Sequence, residues 1–463
     1  MSKKRYHIFR TITALAVAIM LVFALTACGG STPGETDVTA TPAGTETATP
    51  TGADTTPATN PQTEPDGTPT GTVQGTDLGT AELTGSSGTA PATKPMDETM
   101  RAAYATFSYN LFASCAKSAE KNCLVSPFSV YVALAMLANG AAGNTAAQID
   151  SVMGVNEELR NAYMAAWIED LTGQSDVTFS CADSIWVSNR YRTIVANEFL
   201  AACADSYRAE VYAADMNNGT VDDINAWTKK NTDGMIAKIL EYGDIDPAVV
   251  AVLVNAITME AKWEDPFTDD KIFPDGEFTH ENGQKETTTM MSGEADRCYL
   301  ENDVFTGFAK SYEGGEFRYV ALLPKEGVSM ADAIAALSPE TVDALFANRK
   351  SAKVNIYIPR YTVEYGKDLQ DVLAGLGMSD LFAPGAADLS RMVTEGSNYV
   401  DRVIHKTYLS LDNEGTRAAA VTAISVRTFS INTEEYYRVV LDRPFIYMIV
   451  DSNNLPLFIG TYQ

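Results

Sequence analysis

The chain has 463 residues, 45% of them hydrophobic, and a formal net charge of −26. That apolar content supplies a large core, and the length alone allows for two or three domains. Nucleic acid and anionic membrane surfaces both repel a chain this acidic, so neither is an expected partner.

The first residues read as an address. Lys3, Lys4, Arg5 and Arg10 form a basic stretch, and an apolar run from Ala14 to Leu25 follows. The run is short for a bilayer span and suits the apolar part of an export signal. Leu25-Thr26-Ala27-Cys28 then resembles the lipobox of bacterial export signals, in which the peptide is cut before the cysteine and the thiol receives lipid. An ordinary signal with a chance cysteine is the alternative. Residues 1–27 are therefore expected to be removed, with Cys28 as the lipidation site. The product is expected outside the cell or at its surface, lipid-anchored to the membrane or released.

Residues 28–95 read as a linker rich in Thr, Pro, Gly and Ala, and beyond Cys28 they contain no aromatic residue and no isoleucine. Such a stretch buries too little apolar surface to offset chain entropy and is expected to be disordered. From Met96 to Gln463 the composition is that of one globular domain, with neither repeat nor second linker. Helical spacing predicts helices over 99–117, 144–153 and 157–171. Another is predicted over Pro127–Ala138, with Ser126 as N-cap and Pro127 in the first turn. Strands are predicted at Val177–Val187, Val250–Met259, Tyr319–Leu323, Lys353–Pro359, Tyr399–Leu411 and Arg438–Val450. Helices gather early and strands late, which predicts an α+β fold.

Beyond Cys28 there are five cysteines: Cys115, Cys123, Cys181, Cys203 and Cys298. An odd number cannot pair fully within one chain. No C-x-x-C spacing and no His/Cys cluster of zinc type occurs, so mostly buried structural thiols are expected, with no disulfide assigned, no metal and no cofactor.

The segment from Gly415 to Ser430 is unusual. After Gly415 it holds no Gly, Pro, Asn or Asp, the residues that normally build surface loops. Thr416, Ala418, Ala420, Thr422, Ile424 and Val426 form one alternate set, all small or apolar. Arg417, Ala419, Val421, Ala423, Ser425 and Arg427 form the other, which carries both arginines. A strand with this pattern can bury the first set and expose the second. Taken alone, the pattern also fits a constitutive strand or the start of an amphipathic helix.

Motifs along residues 100–463 resemble the serpin family. Asn122 with Ser126-Pro127-Phe128-Ser129 is similar to the family's start of an early buried helix, and Ala138-Asn139-Gly140-Ala141-Ala142-Gly143-Asn144-Thr145 to the turn after it. Further matches are Ile224-Asn225-Ala226-Trp227 with Asn231-Thr232-Asp233-Gly234-Met235-Ile236, and Val254-Asn255-Ala256-Ile257 through Lys262-Trp263, Pro266 and Phe267. Ile358-Pro359-Arg360-Tyr361, Leu376-Gly377-Met378, Asp388-Leu389-Ser390, His405-Lys406, Glu414-Gly415-Thr416 and Arg443-Pro444-Phe445 complete the series. Each is short, but together they keep the family's order.

The resemblance implies helices packed around three β-sheets, a metastable monomer, and an exposed reactive loop. Its activity would be single-use inhibition of serine, or else cysteine, endopeptidases: the loop is cut, an acyl-enzyme forms, and the loop inserts into the main sheet. Glu414, Gly415, Thr416, Ala418, Ala419 and Ala420 would be the hinge. Ser126, Ser129, Asn255 and His405 fall on the family's shutter positions, and Trp263 falls where insertion begins. The family's spacing from Gly415 places the reactive bond at Phe429–Ser430, suited to chymotrypsin- or subtilisin-like enzymes with apolar pockets. Arg427–Thr428, suited to trypsin-like enzymes, is the alternative, and Val426 or Thr428 would suit elastase-type enzymes. Asn413 stands where the family commonly has an acid, which puts a salt bridge near the insertion point in doubt.

A non-inhibitory serpin is the main rival; small Ala418–Ala420 favours an inhibitor. The anchor and stalk alone would also suit a solute-binding lipoprotein, against the family motifs. An enzyme is not expected. Ser114-x-x-Lys117 and Ser118-x-x-Lys121 match S-x-x-K, but no S-D-N or K-T-G follows and no G-x-S-x-G occurs.

Overall fold

A computed structural model describes residues 92–119, 121–234, 236–416 and 436–463, together with the backbone of 17–28. Strand β1 (Val17–Cys28) comes first. Then follow α1 (Glu98–Ala116), β2 (Leu124–Val125), α2 (Pro127–Ala138), α3 (Gly143–Met153), α4 (Glu157–Thr172), β3 (Val177–Ser188), α5 (Asn197–Tyr207), β4 (Glu210–Ala214) and α6 (Asn218–Asn231). The centre holds β5 (Val249–Lys262), β6 (Ile272–Thr279), β7 (Lys285–Ala295), β8 (Tyr299–Glu301), β9 (Phe305–Ser311), β10 (Arg318–Pro324), α7 (Met330–Ala335) and α8 (Pro339–Ala347). The last part holds β11 (Lys353–Pro359), β12 (Tyr361–Asp368), α9 (Gln370–Leu376), β13 (Ser397–Leu411), β14 (Gly415–Thr416), β15 (Tyr436–Val440), β16 (Phe445–Val450) and β17 (Pro456–Tyr462).

Among the described residues the strands form three sheets with helices packed around them, the expected α+β arrangement. The main sheet runs β12, β13, a shared place, β5, β3, β4. In the shared place β14 and β1 lie end to end, both antiparallel to β13 and to β5. The second sheet runs β2-β17-β16-β10-β9-β8 and the third β15-β11-β7-β6.

Local sequence explains the central elements. Helix α2 is apolar on all sides and buried throughout, as a helix roofed by sheets must be. Its start is fixed by Ser126, whose Oγ accepts from the Ser129 N–H at 3.2 Å and donates to the Leu457 carbonyl at 2.7 Å. Strand β5 is an almost unbroken apolar run, covered on both faces. Strand β13 alternates strictly: Val403, His405, Thr407, Leu409 and Leu411 are buried and the residues between them are not.

Three predicted strands differ from the observed ones by one or two residues at their ends, and two differ by more. Val250–Met259 extends to Lys262, because Ala261 and Lys262 pair with Thr416 and Gly415. Arg438–Val450 is two strands in two sheets, β15 and β16. The chain crosses between them through Leu441-Asp442-Arg443-Pro444, where proline cannot donate to a ladder. Lys94, within the expected linker, is held to the domain: its N–H donates to the Ala162 carbonyl at 3.0 Å and its ammonium pairs with Asp97 at 2.7 Å. The described cysteines beyond Cys28 are unpaired thiols, four of them buried. Burial pushes the Cys115 thiol up to about 12.

Ser126→Ala removes the α2 cap and leaves the Leu457 carbonyl without its hydroxyl donor. A loss of about 1–3 kcal/mol is expected, read as a lower urea midpoint at unchanged slope.

Candidate functional site

The shared place in the main sheet defines the site. At its upper end Asp412 turns the chain from β13 into β14, its Oδ1 accepting from the N–H groups of Glu414 (2.8 Å) and Gly415 (3.2 Å). Gly415 is required by close approach: a Cβ there would stand 2.0 Å from the Ala261 carbonyl oxygen. Thr416 is fully buried, and its hydroxyl meets the Tyr312 hydroxyl at 2.5 Å.

Trp263 clamps the same turn. Its indole N–H donates to the Asp412 carbonyl at 3.0 Å and its backbone N–H to the Glu414 carbonyl at 2.9 Å. The ring stacks on Tyr312 at 4.6 Å between centroids, 7° from parallel. The Lys310 ammonium lies 5.6 Å from the Trp263 ring centre and donates to the Glu294 carbonyl at 3.1 Å. At Asn413, where a salt bridge was in doubt, the Arg360 guanidinium donates to the neutral Asn413 Oδ1. Burial, and then repulsion from Asp412, raises the pKa of the neighbouring Glu414.

Lower down, the four expected shutter residues form two pairs, joined through the Ser129 N–H that Ser126 Oγ accepts. Ser129 donates to Asn255 Oδ1, and Asn255 Nδ2 donates to Asp183 Oδ1 at 2.8 Å, joining α2 to β5 and β3. On the other side the Ser126 N–H donates to His405 Nε2 at 3.3 Å, which requires that nitrogen to be unprotonated. Thr407 continues this side by donating to the Leu124 carbonyl at 2.6 Å. Asn255 and His405 do not meet, because Leu21 of β1 is the register partner of both. Strand spacing then sets their backbones about 10 Å apart.

Asp183 was not singled out in the sequence. The signal available was an acid in the middle of the apolar strand Val177–Val187. It is fully buried against Asn255 and the Cys181 thiol, which donates at 3.5 Å. Burial, outweighing those two hydrogen bonds, lifts its carboxyl to about 7. Tyr312 and Lys310 were also missed, since nothing in the strand pattern marks the residues that stack on Trp263.

Several expected site residues lie outside the described residues: Ala418, Ala419 and Ala420 of the hinge, and Arg427, Thr428, Phe429 and Ser430 around the reactive bond. Cys28, the expected lipidation site, is the last residue of β1. The two histidines of the domain lie apart. His280, just after β6, faces Glu286 of β7 at 2.9 Å, while His405 is in the main sheet.

The profile of the family described as Serpin (serine protease inhibitor) matches residues 102–463. The chain belongs to the serpin family. It is 31% identical over 395 residues to the leukocyte elastase inhibitor of Bos taurus, covering 78% of this chain and 98% of that one. It is 30% identical over 369 residues to Serpin B8 of Homo sapiens, covering 77% and 97%. Among solved structures it is similar to the thermophilic serpin tengpin. The native state shows 34% identity and a TM-score of 0.72 over 80% of this chain and 97% of that one. The latent state shows 33% and 0.69 over 80% and 99%. At family level this serpin is related to protease inhibitors and not to enzymes.

Two outcomes follow from the geometry. Gly415→Ala should push β14 off β5, read as faster amide exchange over 260–263 and 411–416 with the remainder of the domain unchanged. Asp183 binds a proton more tightly in the folded chain than in the unfolded one. Its stabilising contribution is therefore complete below the unfolded carboxylate value of about 4 and is lost as pH rises through about 7. The melting temperature should fall between about pH 4 and about pH 7, and Asp183→Asn should flatten that fall.

Proposed function

We propose that the protein is a single-use inhibitor of serine endopeptidases, with cysteine endopeptidases as a second class, and that the segment following Gly415 is its bait. The observation carrying this reading is the seating of Gly415 and Thr416. The first two residues of the bait already lie between β13 and β5, in the direction an inserting strand needs. The protease serine attacks the Phe429 carbonyl, the bond to Ser430 breaks, and the Ser430 amine leaves as a new N-terminus. The freed segment then lengthens β14 into the sheet and carries the ester-linked protease with it before water completes hydrolysis.

Small residues support rapid entry. Ala418 and Ala420 follow Thr416 on the set that would turn inward, so little volume has to be accommodated at the start. An apolar Phe429 suits chymotrypsin- and subtilisin-like pockets, and the name of the bovine relative adds elastase as a target class. Arg427–Thr428 is the second choice of bond. Export, removal of residues 1–27 and lipid on Cys28 would place a monomeric inhibitor outside the cell or at its surface, where such proteases act.

The test mixes the processed chain, starting at Cys28, with chymotrypsin, elastase, subtilisin and trypsin. An SDS-resistant adduct and release of a peptide beginning at Ser430 are expected. Loop cleavage without adduct for all four enzymes would instead establish a non-inhibitory serpin. Thr416→Arg places a charge in the buried site beside Tyr312 and should convert inhibitor to substrate; undiminished trapping by that variant would sink the insertion mechanism.

A further inference from the structure

Strand β1 and strand β14 share one place in the main sheet, and their registers agree. Thr416 stands opposite Ala261 of β5, and Val17 stands opposite Met259, two residues further along. A bait strand continuing from Thr416 would bring Ala418 to Met259, the position held by Val17. The other neighbour gives the same offset. Thr416 stands opposite Leu411 of β13 and Ala18 opposite Tyr408, so the continuing strand would bring Ala419 to the position of Ala18. Direction agrees as well, since both strands are antiparallel to both neighbours.

Within this register Val17, Ile19, Leu21 and Phe23 hold the positions that Ala418, Ala420, Thr422 and Ile424 would take. As residue types the first set is the more apolar, so a cleft that rewards burial prefers it. A bulge near Ala24 and Leu25 interrupts both ladders, and pairing then resumes as far as Cys28 on the β13 side. The strand therefore ends on the residue before which the export signal is expected to be cut. Residues 29–91 connect it to the domain, with an extended reach on the order of 200 Å, so chain length does not prevent the docking.

We propose that residues 17–28 are the resident strand of the cleft between β5 and β13 in the uncut chain and exclude the bait from it. The uncut chain is then a protease substrate, and removal of residues 1–27 makes it an inhibitor. This rests on the insertion mechanism proposed above, but occupation of the cleft is measurable without it. The occupant competes for backbone hydrogen bonds along both edges, and two strands cannot hold one place in a sheet. Its removal leaves a site of the same length and direction for the bait.

The test uses the full 463-residue chain. Hydrogen exchange of the unaltered chain should show protected amides over 17–28, and also over 249–259 and 399–408. The double variant Ile19→Pro/Leu21→Pro, which cannot complete the ladders, should lose the protection over 17–28. Mixed with chymotrypsin, the unaltered chain should be cut in the bait without adduct, and the proline variant should form the SDS-resistant adduct. A synthetic peptide of residues 17–28 added to the variant should abolish trapping again. Ile19→Asp/Leu21→Asp is a second route to the same release should the prolines prevent folding. Unprotected amides over 17–28 in the unaltered chain overturn the proposal whatever the protease result. Equal trapping by unaltered and variant chains overturns the exclusion of the bait. Protected amides with no adduct from either chain overturn the insertion mechanism, and exclusion with it, while occupation of the cleft stands.

Discussion

Two long strands, β5 and β13, face each other across a space one strand wide, and the backbone groups along both edges need partners. That requirement organises the molecule. Whatever lies in the space must be extended, antiparallel to both neighbours and acceptable on its buried face. Gly415 and Thr416 meet the requirement at one end, and Val17–Cys28 along the remainder. Helix α2 lies beneath the sheet as a fully buried apolar rod, with its capping serine tied to β17.

Polar groups mark the two sides of the space. Ser129, Asn255 and Asp183 bind one side to α2; Ser126 and Leu124 bind His405 and Thr407 on the other. The first set ties β5 and β3 to α2, and the second ties β13 to the start of α2 and to β2. Asp183 is the costly member. Its carboxyl is lifted to about 7 by burial, so the network it closes is most stable when it carries a proton. At the upper end the Trp263–Tyr312 stack and the Asp412 turn hold β14 in place, which fixes the point from which any longer strand must grow.

Much of this was legible in residue order. The Pro127–Ala138 helix and the Lys353–Pro359 strand have the expected bounds, because a cap with proline marks one and strict alternation marks the other. Short strands such as β2, β8 and β14 were not legible, since two or three residues carry no period and exist only through their neighbours. The break between β15 and β16 was marked in the sequence by Asp442-Arg443-Pro444, which the run of strand-forming residues on either side outweighed. Asp183, Tyr312 and Lys310 were missed because their roles depend on which strands stand side by side.

The sequence by itself determined the family, the helix-rich first half and mostly buried thiols beyond Cys28. It did so because these depend on local spacing, side-chain volume and ordered motifs. Only the tertiary structure decided that Asn255 and His405 stand apart, that an acid closes the inner network, and that an apolar segment near the N-terminus lies end to end with β14 in the same direction and register. Those facts are long-range pairings between distant parts of the chain, and period-two patterns specify a strand's faces without naming its partner.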